Sequence, residues 1–445
     1  MSLPKIITAL AFFAAIGIYG CTSSEVPWME SEADASVSQQ SKLLDGNSRT
    51  AEEAVEIARG FFSNAQSRSV SECQLSVEYL TSEGIHRQNS RSEYNPDEML
   101  AYVINRDDGG FMLVSSDKRM PEILAFSETG KFEKPEDSEN VVNAMFINNL
   151  DAYKQYLIEG SDGYNFKQSD NLFDKMVELC PESAWHWNQH ISPYADAVWK
   201  EHPESPVGCV GLATGIILTY CRDEVKINNR TYYAYAARWG MINGFQNKPP
   251  TPPIVIRPLN DVPITTPVDT FIPASPQHFA YAYQADALEH ISKMLSDVGV
   301  ALGLNYRVGR TGGSSEKANL FLRNVGCNVL HSTMQSFDIN DMARQIVAGN
   351  IIYADGNTYK IDDFDGGHAW VIDGCCFNYQ RAVQLNSNVE ISQRSIQDVF
   401  LHCNWGENTH LIGYYRGDVF YITHNYYNYR QMRYFAVKPT RDYSN

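Results

Sequence analysis

The 445-residue sequence has no basic excess: 36 Lys and Arg stand against 53 Asp and Glu, a formal net charge of −17. Neutralising phosphate takes a patch or run of cations, and none occurs, so nucleic acid is not expected as a partner. Past the first twenty residues no apolar run approaches the roughly 20 residues of a membrane span. Any attachment to a membrane must therefore go through the N-terminus. Nine cysteines in a chain of this length do not make a disulfide framework. No Cys-x-x-Cys pair accompanies the adjacent Cys375 and Cys376, so they do not read as a zinc site. Neither a metal nor a cofactor is expected.

What is present is a globular composition, 43% hydrophobic and 20% charged, in a chain long enough for two domains plus processing segments. Lys5 opens a basic n-region, Ile6 to Tyr19 form an apolar stretch, and Ile18-Tyr19-Gly20-Cys21 fits a lipoprotein cleavage site. Residues 1–20 then read as a signal peptide and Cys21 as the lipidated first residue of the mature chain. An ordinary secretory signal with an incidental cysteine is the alternative. The lipid reading places the protein in the bacterial cell envelope, at the outer membrane or cell surface, with release after processing. Residues 21–49, rich in Ser, Glu, Asp and Gln, read as a flexible tether.

Thr50 and Glu53 form a capping-box pattern ahead of an apolar stripe at Ala54, Ile57, Ala58 and Phe61. Strand signals follow at Leu75 to Leu80, Ala101 to Ile104, Phe111 to Val114 and Ile123 to Phe126, with a turn at Asp107-Asp108-Gly109-Gly110. Residues 50–135 thus predict a compact α+β domain without catalytic composition. Residues 136–180 predict a helix from Val141 to Leu157, then a polar, Gly-containing connector open to cleavage. A second domain is expected over 181–445, interrupted by nine prolines in an extended insertion at 247–276. An amphipathic helix is predicted over Ala285 to Val298. The last third predicts a twisted antiparallel sheet with strands at Asn350 to Tyr353, Ala369 to Ile372, Val399 to His402, Val419 to Ile422 and Tyr434 to Val437.

Cys209 follows Pro206-Val207-Gly208 and precedes apolar residues at helical spacing, so its thiol is expected at a helix N-terminus. Orphan N–H groups and the positive end of the helix dipole favour a thiolate there, and the same N–H groups can hold an oxyanion. His368, between Gly366-Gly367 and the strand Ala369 to Ile372, supplies a base. His402-Cys403-Asn404-Trp405-Gly406 supplies an amide to orient the imidazole and an indole to shield the pair. Taken singly, a buried cysteine and a hydrogen-bonded strand histidine are the ordinary readings of such residues. Cys, His and Asn in this order form a papain-like nucleophilic arrangement.

The surrounding residues extend that reading. Trp187-Asn188-Gln189 with Pro193-Tyr194, Gly208-Cys209-Val210, Gly367-His368-Ala369 with Val371-Ile372-Asp373-Gly374, and Asn404-Trp405-Gly406 with Gly413-Tyr414-Tyr415 resemble the streptopain-type cysteine peptidases. Gly110 to Asp117 resembles a hairpin of that family's propeptide. The resemblance implies an α+β, papain-like catalytic domain of a helical lobe and an antiparallel sheet lobe, behind an α+β propeptide that blocks the groove. It implies catalytic roles for Cys209, His368, Asn404 and Gln189, the last as an oxyanion donor, although a loop amide explains Gln189 equally well. It implies contacts to substrate at Thr311, Gly367 and Trp405, with a glycine-rich turn and helix cap as the other reading of the 310–315 loop. Peptide or protein substrates and the chain's own propeptide are the implied partners. One departure stands out: Glu407-Asn408-Thr409-His410 replaces the family's tryptophan and glycines. It keeps open a second reading, an inert binding or adhesion protein on the same scaffold.

Overall fold

The computed structural model describes residues 47–65, 73–87, 98–133, 141–160, 173–179, 205–222, 224–233, 291–357, 367–379, 396–406, 411–420 and 432–440. The chain divides into Met1–Gly46 and Asn47–Asn445, and every described residue lies in the second unit. The signal segment with Cys21, the tether up to Gly46, Gln189, the proline-rich insertion and Glu407 to His410 lie outside the described residues. Residues 47–49, expected as the end of the tether, are instead tied to the N-terminal domain, the Arg49 N–H donating to Ser116 O and the Lys118 N–H to Asn47 O, each at 2.7 Å.

Helix α1 (Ala51–Ala65) opens on the expected capping box. The Thr50 N–H donates to Glu53 Oε2 at 2.9 Å and the Glu53 N–H to Thr50 Oγ1 at 3.2 Å, so two orphan donors of the first turn are satisfied reciprocally. Strands β1 (Leu75–Thr81), β2 (Gly84–Arg87), β3 (Met99–Arg106), β4 (Phe111–Ser115) and β5 (Ile123–Ser127) follow, then α2 (Val141–Gly160) and β6 (Lys175–Glu178). Next come α3 (Cys209–Cys221), the β7 (Glu224–Ile227) and β8 (Arg230–Tyr233) hairpin, and α4 (residues 291–302). The β9 (Asn305–Arg307) and β10 (Arg310–Gly312) hairpin leads to α5 (Ser315–Asn324), β11 (Asn328–Val329), β12 (Gln335–Ser336) and α6 (Ile339–Val347). The closing strands are β13 (Ile351–Asn357), β14 (Gly367–Tyr379), β15 (Ile396–Asn404), β16 (Gly413–Arg416) and β17 (Arg433–Lys438). Where a strand was expected from Val419, residues Gly417–Phe420 form a 3-10 turn, and the preceding Gly413–Arg416 pairs instead with β15. The β-prone Val-Phe pair is used to bury side chains, not to form a ladder.

Two separate sheets were the natural expectation, but the strands form one antiparallel sheet. Its order is β11-β17-β13-β14-β15-β16-β5-β4-β3-β1-β2. The N-terminal strands join the C-terminal ones where β16 pairs with β5, Tyr414 opposite Phe126 and Tyr415 opposite Ala125. Period-two alternation then sorts side chains onto the two faces. In the N-terminal half, Tyr102, Ile104, Met112 and Val114 face α1, whereas Ala101, Val103 and Leu113 share a core with α2 and the C-terminal strands. In the C-terminal half, Tyr353, Val371 and Phe435 face α3 and α4, and Ile352, Trp370 and Tyr434 face α6 and Trp405. With both faces covered, these strands read as continuous apolar runs.

Strand β6 pairs with β14, Glu178 opposite Gly374 and Lys175 opposite Phe377. Residues 175–178, expected within the activation region, are thus already part of the C-terminal sheet. That sheet's domain begins before residue 181.

Candidate active site

Helix α3 starts at Cys209 because Gly208 lets the chain turn into it. Gly208 has φ 88°, a left-handed value that disfavours a side chain. A Cβ there would also lie 2.8 Å from Thr311 Cγ2, so the position excludes larger residues twice over. No side chain caps the helix N-terminus, which leaves first-turn N–H groups aimed outward beside the thiol. Cys209 itself is half-buried. The rest of α3 is buried on all sides, so the helix is fixed by packing against β13, β14 and β17.

His368 is the second residue of β14 and is buried. Its Nε2 lies 2.8 Å from the main-chain oxygen of Trp405. A carbonyl oxygen only accepts, so Nε2 carries the proton and Nδ1 keeps its lone pair. Burial pushes the imidazole pKa down to about 4, against a smaller upward effect of the Trp405 carbonyl. The ring is therefore neutral at neutral pH in the full chain. The Trp370 ring lies parallel to it at 6.1 Å, and Trp370 meets Trp405 at 4.9 Å.

Asn404 is buried at the end of β15, opposite Val371. Its Oδ1 accepts from the Gly406 N–H at 3.1 Å. That bond closes the Asn-Trp-Gly turn and so fixes the carbonyl that holds His368. The turn also touches the helix: a Cβ on Gly406 would fall 2.6 Å from Leu212 Cδ2, one turn beyond Cys209. The imidazole, the Asn-Trp-Gly turn and the first turn of α3 are thereby linked through named contacts. No sequence pattern pointed to the Trp405 carbonyl, since a backbone acceptor has no residue-type signature.

Thr311 packs on the nucleophile's turn, its hydroxyl donating to Pro206 O at 2.5 Å. Gly367 is exposed at the first position of β14, opposite Asn357, and Trp405 is fully buried. Above Trp405 lies Tyr415 at 5.1 Å, and on Tyr415 lies Phe146 of α2, also at 5.1 Å. The N-terminal domain thus rests its helix on the aromatic stack behind the histidine.

Cys375, Cys376 and Cys403 are buried free thiols, and burial pushes Cys375 up to about 12. Among the described residues, Cys73, Asp107 and Asp108 place donor atoms within 4.8 Å of one another. There the thiol shares its one proton between Asp107 Oδ1 at 2.9 Å and Asp108 Oδ1 at 3.1 Å, and Asp108 also pairs with Arg106, all within the N-terminal domain.

Comparison with known proteins gives two family matches: Spi protease inhibitor over residues 46–156 and Peptidase C10 family over residues 261–415. The second takes in His368 and Asn404 and begins after Cys209. Streptopain of Streptococcus pyogenes is 26% identical over 303 residues, covering 61% of this chain and 67% of that protein. A solved fragment of Prevotella intermedia prointerpain A aligns at 17% identity over 76% of this chain and 94% of that one, with a TM-score of 0.44. Active interpain A cysteine protease of the same organism aligns at 17% over 61% and 98%, with a TM-score of 0.33. Together the two family matches and the streptopain relative support a streptopain-type cysteine peptidase with a propeptide.

Proposed function

We propose that the chain is exported as a lipid-anchored zymogen, with Cys21 carrying the lipid, and that removal of its propeptide yields an endopeptidase acting through Cys209 and His368. The observation that carries the mechanism is the Nε2 to Trp405 carbonyl bond, which fixes the tautomer whose Nδ1 can take a thiol proton. His368 removes that proton and the Cys209 thiolate attacks the scissile carbonyl. The Cys209 N–H, with Gln189 as second donor, holds the oxyanion. The imidazolium then protonates the leaving amine, and water, deprotonated by the same nitrogen, hydrolyses the thioester to free the acid and the thiol. Asn404 acts by holding the turn. Gly367 leaves room for substrate backbone to run beside the histidine, and the family resemblance assigns Thr311 and Trp405 to substrate contact.

Pairing of the imidazole with the thiol stabilises the charged pair only if the imidazole can accept a proton, and burial at a pKa of about 4 opposes this in the full chain. The test uses the full chain after limited proteolysis of the connector following α2. The parent should cleave an unfolded protein substrate and be labelled once per chain by an epoxide thiol reagent. Cys209→Ala should reduce both to background; cleavage that survives it would end the assignment.

A further inference from the structure

Behind the nucleophile lies a buried hydroxyl chain that the peptide-cleaving mechanism does not use. Tyr353 of β13 is fully buried, stacked on Phe435 at 4.7 Å and 9°, and its hydroxyl is 3.1 Å from Ser315 Oγ. Two residues on, Asp355 points to the same face of β13 and binds Arg433 through both carboxylate oxygens; Arg433 in turn binds Glu316 at 2.6 Å. Either hydroxyl can donate in the Tyr353 to Ser315 pair, and the Asp355, Arg433 and Glu316 ion pairs make a second link between β13 and the first turn of α5.

Ser315 is the first residue of α5, immediately after the loop that abuts Cys209. In that loop Thr311 touches Gly208 and donates to Pro206 O, and a Cβ on Gly313 would meet Val210 at 3.0 Å. On the other side, β13 is the hydrogen-bonded neighbour of β14, with Gly356 opposite His368. A continuous path therefore runs from the histidine's strand to the cysteine's turn. Burial, together with the negative charge Cys209 carries as a thiolate, raises the Tyr353 pKa and keeps its hydroxyl protonated.

We propose that Tyr353 and Ser315 are positioning residues for the nucleophile: their hydroxyl pair pins the Thr311 to Gly313 loop, and with it the Gly208 turn, to the strand beside His368. This rests on the peptidase reading above. A satisfied core hydroxyl with no bearing on the site is the competing explanation, and the readouts separate the two. Full chains carrying Tyr353→Phe, Ser315→Ala and Ser315→Thr are opened by the same limited proteolysis, and the pH profile of Cys209 alkylation by iodoacetamide is measured beside kcat and KM.

Tyr353→Phe and Ser315→Ala should each lower kcat by about tenfold with KM within about twofold, since a small misplacement of reacting groups costs rate more than binding. They should also move the acid limb of alkylation upward by about half a pH unit or more, because a thiolate farther from its imidazole is less stabilised. Ser315→Thr, which keeps the hydroxyl, should restore the parent profile. Parent-like alkylation profiles in both Tyr353→Phe and Ser315→Ala would overturn the proposal, whatever their melting temperatures. Because alkylation needs no turnover, the proposal is judged even if the parent fails to cleave peptides, a result that would count against the peptidase reading alone.

Discussion

The main-chain oxygen of Trp405 accepts from His368 Nε2 and so leaves Nδ1 as the acceptor nitrogen of the ring. Cys209 and His368 were singled out because a thiol after Gly208 and a histidine after Gly367 stand in distinctive local sequence. The carbonyl was not, because every residue carries one and only the fold aims it. At this scale the account predicts a pH effect. The His368 pKa is lowered from 6.5 to about 4 by burial, so the folded chain binds fewer protons there than the unfolded chain. Its contribution to stability is fully present above the ordinary histidine range and is lost as pH falls through about 4, a loss on the order of 3 kcal/mol. His402 opposes this: burial lowers its pKa, but Asp373, 2.6 Å away, and Glu178 together raise it above the ordinary value. Chemical denaturation of full-length parent and His368→Gln between pH 7 and 4 separates the two: the variant should lose less stability over that range. Equal slopes would show that His368 does not titrate as assigned.

Among the elements, α2 and β5 matter most, because they carry the N-terminal domain onto the peptidase. Phe146 of α2 is fully buried, packed edge-on to Tyr415 and 6.0 Å from Phe420. The Phe126 ring of β5 lies stacked on Tyr414 at 5.0 Å. The sequence predicted α2 as a helix from its apolar content and β5 as a short strand, and both form. Their destination was hidden, because apolar spacing marks a buried face without saying what covers it. Phe146→Ala should cost about 3–5 kcal/mol, the range for emptying a large buried aromatic site. Part of that loss should appear as weaker inhibition: the connector-cleaved variant should show peptidase activity at dilutions where the cleaved parent remains inhibited. Unchanged inhibition alongside the stability loss would mean that α2 braces the fold without controlling the site.

Across the whole molecule, a propeptide and a peptidase share one antiparallel sheet through the β16 to β5 pairing. The α+β class could be read from periodicity and turn signals. The junction could not, because strand pairing between distant segments leaves no local pattern. The early start of the peptidase sheet at Lys175 was missed for the same reason: four residues become a strand only because β14 is long enough to receive them. The activation proposed above would therefore separate strands that are hydrogen-bonded as well as cut a connector.

The central claim is that the thiol of Cys209 and the imidazole of His368 work as one pair once the propeptide is gone. It is tested most directly by the pH dependence of Cys209 alkylation in the propeptide-free form of the parent and of His368→Ala. The account predicts that the parent's rate holds a plateau from about pH 5 to 7, the mark of a thiolate stabilised by its partner. In His368→Ala it predicts a single rise near the ordinary thiol pKa of about 8.5. Superimposable profiles in the two proteins would contradict it.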